Sequence, residues 1–158
     1  MASGWRIVPA NRAGDAFAGQ GAKVYGGRWN SPGSAVVYAS QYKSLAALEQ
    51  LVHLSPRIGR RFKAFSFHFP DSVIDTISRR DLPKDWREEP PPPSTQQLGD
   101  AWLHRASSAI LAVPSIIIPE ELNYLLNPAH AEFHKITIAP PQDFVFDPRL
   151  LPVAKSEE

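Results

Sequence analysis

Two short segments hold side chains that cost stability unless something uses them. In Gly26-Gly27-Arg28-Trp29-Asn30, a guanidinium and an indole follow directly on two glycines. A residue such as Gly27 gives the backbone freedom to approach a ligand closely, at a cost in chain entropy. Arg28 presents a planar fork that matches phosphate or carboxylate, and Trp29 can stack on a ligand or pack beside it. An ordinary glycine turn carrying a surface arginine satisfies the same pattern. Glu49 is a different signal. On a helix turning by about 100° per residue, Leu45, Leu48 and Val52 define the apolar face, and Glu49 falls inside their arc. An ionised carboxylate buried without partners costs several kcal/mol, so Glu49 must meet a cation, hydrogen-bond donors or a cleft. A structural ion pair would meet that demand too.

Tyr38 and Ser115 are weaker candidates, because buried tyrosines usually serve the core and serines usually serve turns. Of the five histidines, His130 and His134 form the one i, i+4 pair. Glu132 lies between them in H-x-E-x-H order, which is not the H-E-x-x-H of zinc proteases, so no metal site is expected. The absence of cysteine excludes disulfides, thiolate metal sites and cysteine nucleophiles. No G-x-S-x-G elbow supports a serine hydrolase, and no glycine-rich dinucleotide or P-loop fingerprint is present.

The elements that must carry these residues follow from periodicity. Residues 34–40 are short, β-branched and preceded by Ser31-Pro32-Gly33, which fits a type II turn leading into a buried strand. A helix is expected from about Tyr42–Ser44 to Leu54, stopped by Pro56. Phe65, Phe67 and Phe69 alternate in a strand over 62–69, and 72–77 offers another. Pro90 to Pro93 demand an extended loop, and 96–107 reads as a helix with Leu98, Ala101, Trp102 and Arg105 on one stripe. The β-prone run 109–118 should break at Ser115, since Pro114 lacks a ladder donor. Two short strands are expected within 134–138 and 144–146.

The expected fold is therefore α/β in the α+β sense: a compact single domain with a mixed, strand-rich sheet core and short helices. The 158 residues suit one core, spanning 1–154 with a loose tail at 155–158. Seventeen basic against sixteen acidic residues argue against direct nucleic-acid binding, and the weak cluster Arg57, Arg60, Arg61 and Lys63 reads as a solvated loop. No apolar run is long enough for a membrane span and Met1 to Arg6 lack a secretory pattern, so a cytoplasmic location is expected.

Several segments in order resemble the RES-domain family, toxins of bacterial toxin-antitoxin pairs. They are Gly21-Ala22, Gly26-Gly27-Arg28-Trp29-Asn30, Val37-Tyr38-Ala39-Ser40, Ser44-Leu45-Ala46-Ala47-Leu48-Glu49, Val113-Pro114-Ser115, Asn123-Tyr124-Leu125-Leu126-Asn127-Pro128 with His130, and Phe146-Asp147-Pro148-Arg149-Leu150. The resemblance implies a fold similar to ADP-ribosyltransferase toxins and an activity that degrades NAD by hydrolysis or phosphorolysis, or transfers ADP-ribose to a protein. Its Arg, Glu and Ser map onto Arg28, Glu49 and Ser115 as catalytic residues, with Tyr38, Gly27, Trp29, Ser40 and Asn127 around the substrate. It implies no metal and no cofactor beyond NAD as substrate, inorganic phosphate as a possible co-substrate, and an Xre-like DNA-binding antitoxin as partner.

Overall fold

The computed structural model describes residues 1–54 and 61–151. Its centre is one curled mixed sheet of eight strands: β1 (Ala2–Pro9), β2 (Val37–Ser40), β3 (Phe62–Phe69), β4 (Ile74–Thr76), β5 (Ile110–Pro114), β6 (Leu122–Leu126), β7 (Thr137–Ile138) and β8 (Gln142–Phe144). The order is β4-β5-β6-β2-β1-β3-β7, with β8 also on β3. Every pairing is antiparallel except β4 with β5. Among the described residues three α-helices accompany it: α1 (Gln20–Tyr25), α2 (Lys43–Leu51) and α3 (Pro93–Arg105). Among the described residues no helix is long and apolar enough to cross a membrane.

Register explains where a cleft can form. β1 pairs with β3 along all eight residues and β2 pairs with β6 along four, but β1 and β2 meet at the single pair Trp5 and Ser40. Beyond that pair the sheet splits. Because side chains alternate across a strand, Val37, Ala39, Tyr124 and Leu126 join one core face together with Phe67 and Phe69. Tyr38, Ser40, Asn123 and Leu125 therefore face the other way. Helices α2 and α3 both cover that second face. Ala46 of α2 packs on Ile7, Phe62 and Ala64, while Trp102 of α3 packs among Trp29, Leu111 and Leu125.

Several expectations change in detail. The helix carrying Glu49 ends at Leu51, capped at Val52, and Pro56 lies outside the described residues, as do Arg57, Arg60 and the tail 155–158. Val52 is 60% exposed rather than part of the buried stripe. The inner side of α2 carries Leu45, Ala46 and Gln50, whose Nε2 donates to Ile7 O at 2.7 Å, so Val52 at the helix end looks outward. Pro93 does enter a helix, as the first residue of α3, where its missing N–H is one the helix leaves unpaired anyway. The inner stripe of α3 is Thr95, Gly99 and Trp102, with Ala101 and Arg105 exposed. The turn at Gly33 has φ of 119°, as its Pro-Gly signature demands, and β5 stops at Pro114. Strands β1 and β6 carried no sequence expectation.

Candidate active site

Between α2 and the loop that carries Arg28, where β1 and β2 part, lies a cleft of about 1030 Å³, just above the roughly 300–1,000 Å³ usual for ligand pockets. Arg28, Tyr38, Ser40, Glu49, Ser115 and Asn123 all line it, as do Gly27 and Trp29. Sequence positions 27 to 123 thus converge on one surface. Asn127 is not brought there: it is buried, and its Oδ1 accepts from Ala129 N at 3.0 Å to close the turn after β6. Among the described residues no cluster of three or more His, Cys, Asp or Glu could hold a metal.

Glu49 faces the cleft from α2 with a carboxylate held at one end. Its Oε1 accepts from Ser115 Oγ at 3.2 Å and from Asn123 Nδ2 at 3.0 Å. Ser115 follows Pro114 out of β5, and its hydroxyl oxygen accepts from Ile117 N at 3.0 Å and Ile118 N at 3.2 Å. Those two backbone donors take up the oxygen's lone pairs, which leaves its proton for Glu49. Asn123 was part of a recognised segment but not of the expected site. A polar amide beside the apolar Tyr124, Leu125 and Leu126 was the available signal.

Arg28 is delivered by a clamped loop. Gly27 N donates to Asn30 O at 2.9 Å, closing the turn, and a Cβ at Gly27 would lie 2.6 Å from Tyr38 Oη, closer than real contacts. Tyr38 Oη accepts from Trp29 N at 3.1 Å and donates to Asn30 Oδ1 at 2.6 Å. Asn30 is fully buried, and its Nδ2 donates to Ala22 O at 3.0 Å. From the other side α3 applies a row of contacts. Thr95 Oγ1 donates to Arg28 O at 2.7 Å, Gln96 Nε2 to Gly27 O at 3.1 Å, and Asp100 Oδ1 accepts from Ser31 N at 2.9 Å. Gly99 fits against the Trp29 carbonyl so tightly that any Cβ would overlap it. The Trp29 indole is core, 3% exposed and packed with Trp102, so its contribution is support rather than stacking on a ligand.

The electrostatics follow from this enclosure. The Arg28 side chain is 9% exposed, and burial lowers its pKa, a shift opposed first by the Glu49 charge and then by Tyr38. Its Nη1 donates to Glu88 O at 2.7 Å and Trp86 O at 3.2 Å, and its Nη2 forms an ion pair with the Glu89 carboxylate. Burial raises the Tyr38 phenol far above its ordinary value, so it stays a neutral hydrogen-bonding group. A second cation, Arg6 on β1, was absent from the sequence expectations. It bridges the split by donating from Nε to Ala16 O at 2.6 Å and from Nη1 to Tyr38 O, and burial lowers its pKa to about 10. A charged residue beside Trp5, Ile7 and Val8 in an unassigned strand was its only trace.

A carboxylate fixed by two donors, facing a large cleft that also holds guanidinium groups, suits a ligand with anionic groups and a centre that becomes positive during reaction. A family model described as the RES domain matches residues 4–147. The chain belongs to the RES-domain family. Curated relatives agree. "Toxin Res" of Yersinia enterocolitica is 40% identical over 148 residues, covering 92% of this chain and 97% of that protein. "Prs ADP-ribosylating toxin" of a Sphingobium strain is 37% identical, covering 93% and 95%. These matches place the chain among the RES toxins. Among solved structures, a chain of the M. tuberculosis MbcT-MbcA toxin-antitoxin complex shares the fold, with a TM-score of 0.74 at 16% identity over 91% of this chain and 84% of that chain.

Proposed function

We propose that this RES toxin degrades NAD by breaking the bond between nicotinamide and ribose. The observation that carries the reading is Glu49: an acid on the inner side of a helix, anchored through one oxygen by Ser115 and Asn123 and lining the same cleft as Arg28. As the C1′–N bond breaks, its electron pair goes to the pyridinium nitrogen and nicotinamide leaves neutral. Positive charge then spreads over C1′ and the ring oxygen, where a carboxylate stabilises it, as in glycoside hydrolysis. An acceptor oxygen bonds to C1′ and loses its proton. Arg28 binds the diphosphate, or an incoming inorganic phosphate, once Glu89 yields its place on the guanidinium. Tyr38 and Ser40 line the ribose and nicotinamide end, with Gly27 and Trp29 as the backing of that wall. No metal or further cofactor takes part in this scheme.

The acceptor is water or phosphate in this reading. A protein side chain is the second reading, favoured by the relative whose name describes an ADP-ribosylating toxin. The partner we propose is an Xre-like antitoxin that covers the cleft and carries the DNA-binding function, since the shared fold occurs in a toxin-antitoxin complex. The site of action is the cytoplasm, where NAD is consumed. Purified protein should release nicotinamide from NAD, and comparison of buffers with and without phosphate separates the two acceptors. Glu49→Gln, which keeps an oxygen for Ser115 and Asn123, should fold normally and lose about 10²–10³ in kcat, the usual cost of removing one group that stabilises developing charge. Intact NAD after incubation with folded, antitoxin-free wild type refutes the reading.

A further inference from the structure

Asn123 occupies a costly position. It lies in β6 between two neighbours, opposite Ser40 on β2 and Val113 on β5, so its backbone is held by the centre of the sheet. Asparagine is a poor strand former. Its Oδ1 is the one buried side-chain polar atom among the described residues that lacks a hydrogen-bond partner. An orphaned buried acceptor lowers stability, and most folded proteins avoid it. Turning the amide over would set Oδ1 against Glu49 Oε1, two acceptors facing each other. The amide is therefore oriented for one contact, Nδ2 donating to Glu49 Oε1 at 3.0 Å.

Ser115 donates to the same oxygen, and among the described residues no donor reaches Glu49 Oε2. Two donors on one oxygen fix both the rotation of the carboxylate and its tilt, which a single hydrogen bond cannot do. We propose that Asn123 is a positioning residue for the reaction above: it holds Glu49 through Oε1 so that Oε2 is presented to the ribose. This rests on the NAD reading and deepens it. Glu49, Ser115 and Asn123 act as one unit drawn from α2, the end of β5 and the middle of β6.

The test uses the full chain and nicotinamide release from NAD. Asn123→Leu keeps the number and branching of the side-chain heavy atoms, with bulkier methyl ends, but has no donor and no orphaned oxygen. The expected result is a kcat lower by about 10-fold or more, as for a modest misplacement of a reacting group, with KM within twofold and a thermal midpoint no lower than wild type. A kcat within twofold of wild type overturns the proposal, and so does a loss of activity matched by a fall in thermal midpoint. Asn123→Asp keeps the shape and adds a carboxyl that shares a proton with Glu49 at lower pH, which restores a donor, and repels it when both ionise. The other charged or titratable groups that line the cleft, Arg6, Arg12, Asp15, Arg28, Tyr38, His53 and Glu89, are unchanged in this variant. Its activity relative to wild type should fall as pH rises, and a constant ratio overturns the proposal. Wild type that leaves NAD intact overturns the NAD reading itself, whereas active wild type with unimpaired Asn123→Leu overturns only the positioning role.

Discussion

Gly27→Ala tests whether the loop that carries Arg28 is clamped as its contacts imply. The new Cβ would lie 2.6 Å from Tyr38 Oη, 2.8 Å from Tyr38 Cζ and 3.1 Å from Asn30 Oδ1. To reach an ordinary contact of 3.4 Å the hydroxyl must retreat by about 0.8 Å. That movement breaks or weakens its hydrogen bonds to Trp29 N and to the fully buried Asn30. A neutral hydrogen bond contributes about 1 kcal/mol net, and a buried partner left unpaired costs about 1–3 kcal/mol, so the expected destabilisation is roughly 2–4 kcal/mol. For a chain of this size the thermal midpoint moves by about 2–4 °C per kcal/mol, so calorimetry should record a fall of roughly 4–16 °C. Displacing Arg28 by something near 1 Å should also lower NAD turnover by about 10²-fold. Gly14→Ala is the control, because its Cβ meets nothing within 4 Å and its midpoint should stay put or rise. Added to Tyr38→Phe, which removes the same two hydrogen bonds, Gly27→Ala should cost less than it does alone. A Gly27→Ala protein that melts within about 2 °C of wild type and turns over NAD normally refutes the clamp.

Glu89→Gln removes the anionic competitor on Arg28. Because the Glu89 side chain is 64% exposed, the ion pair is worth about 0.2–1 kcal/mol, so KM for NAD should fall by roughly 1.5- to 5-fold at low salt, and added salt should erase the difference. An unchanged KM at low salt would show that the substrate does not use this guanidinium. Tyr38 supplies a pH dependence. Its folded pKa is raised above the ordinary 10.0 by burial, so the unfolded chain loses this proton first as pH rises. The stabilisation is full below about pH 10 and is lost above it, and Tyr38→Phe should flatten that alkaline slope in denaturant titrations. A slope identical in both proteins would place the origin elsewhere.

The way these residues meet explains how far the sequence could be read. Alternation in 62–69, the break after Pro114, the turn at Gly33 and the helix bearing Glu49 are local properties, set by steric preferences within a few residues. So was the oddity of an acid on the inner side of α2, and the ordered segments that matched a family. The sequence could not say what satisfied that acid. Ser115 and Asn123 lie 66 and 74 residues further on, and only strand register brings them to Glu49. Tertiary packing likewise made Asn127 a turn residue, left Val52 exposed at the helix end and put Trp29 into the core. The split between β1 and β2 opens the cleft, and α3 closes over the Arg28 loop through Thr95, Gln96, Gly99 and Asp100. Local propensity chose the elements and offered the reactive side chains. Which of them share a cleft was decided by hydrogen-bond pairing and close packing between distant segments, and no periodicity along the chain encodes those.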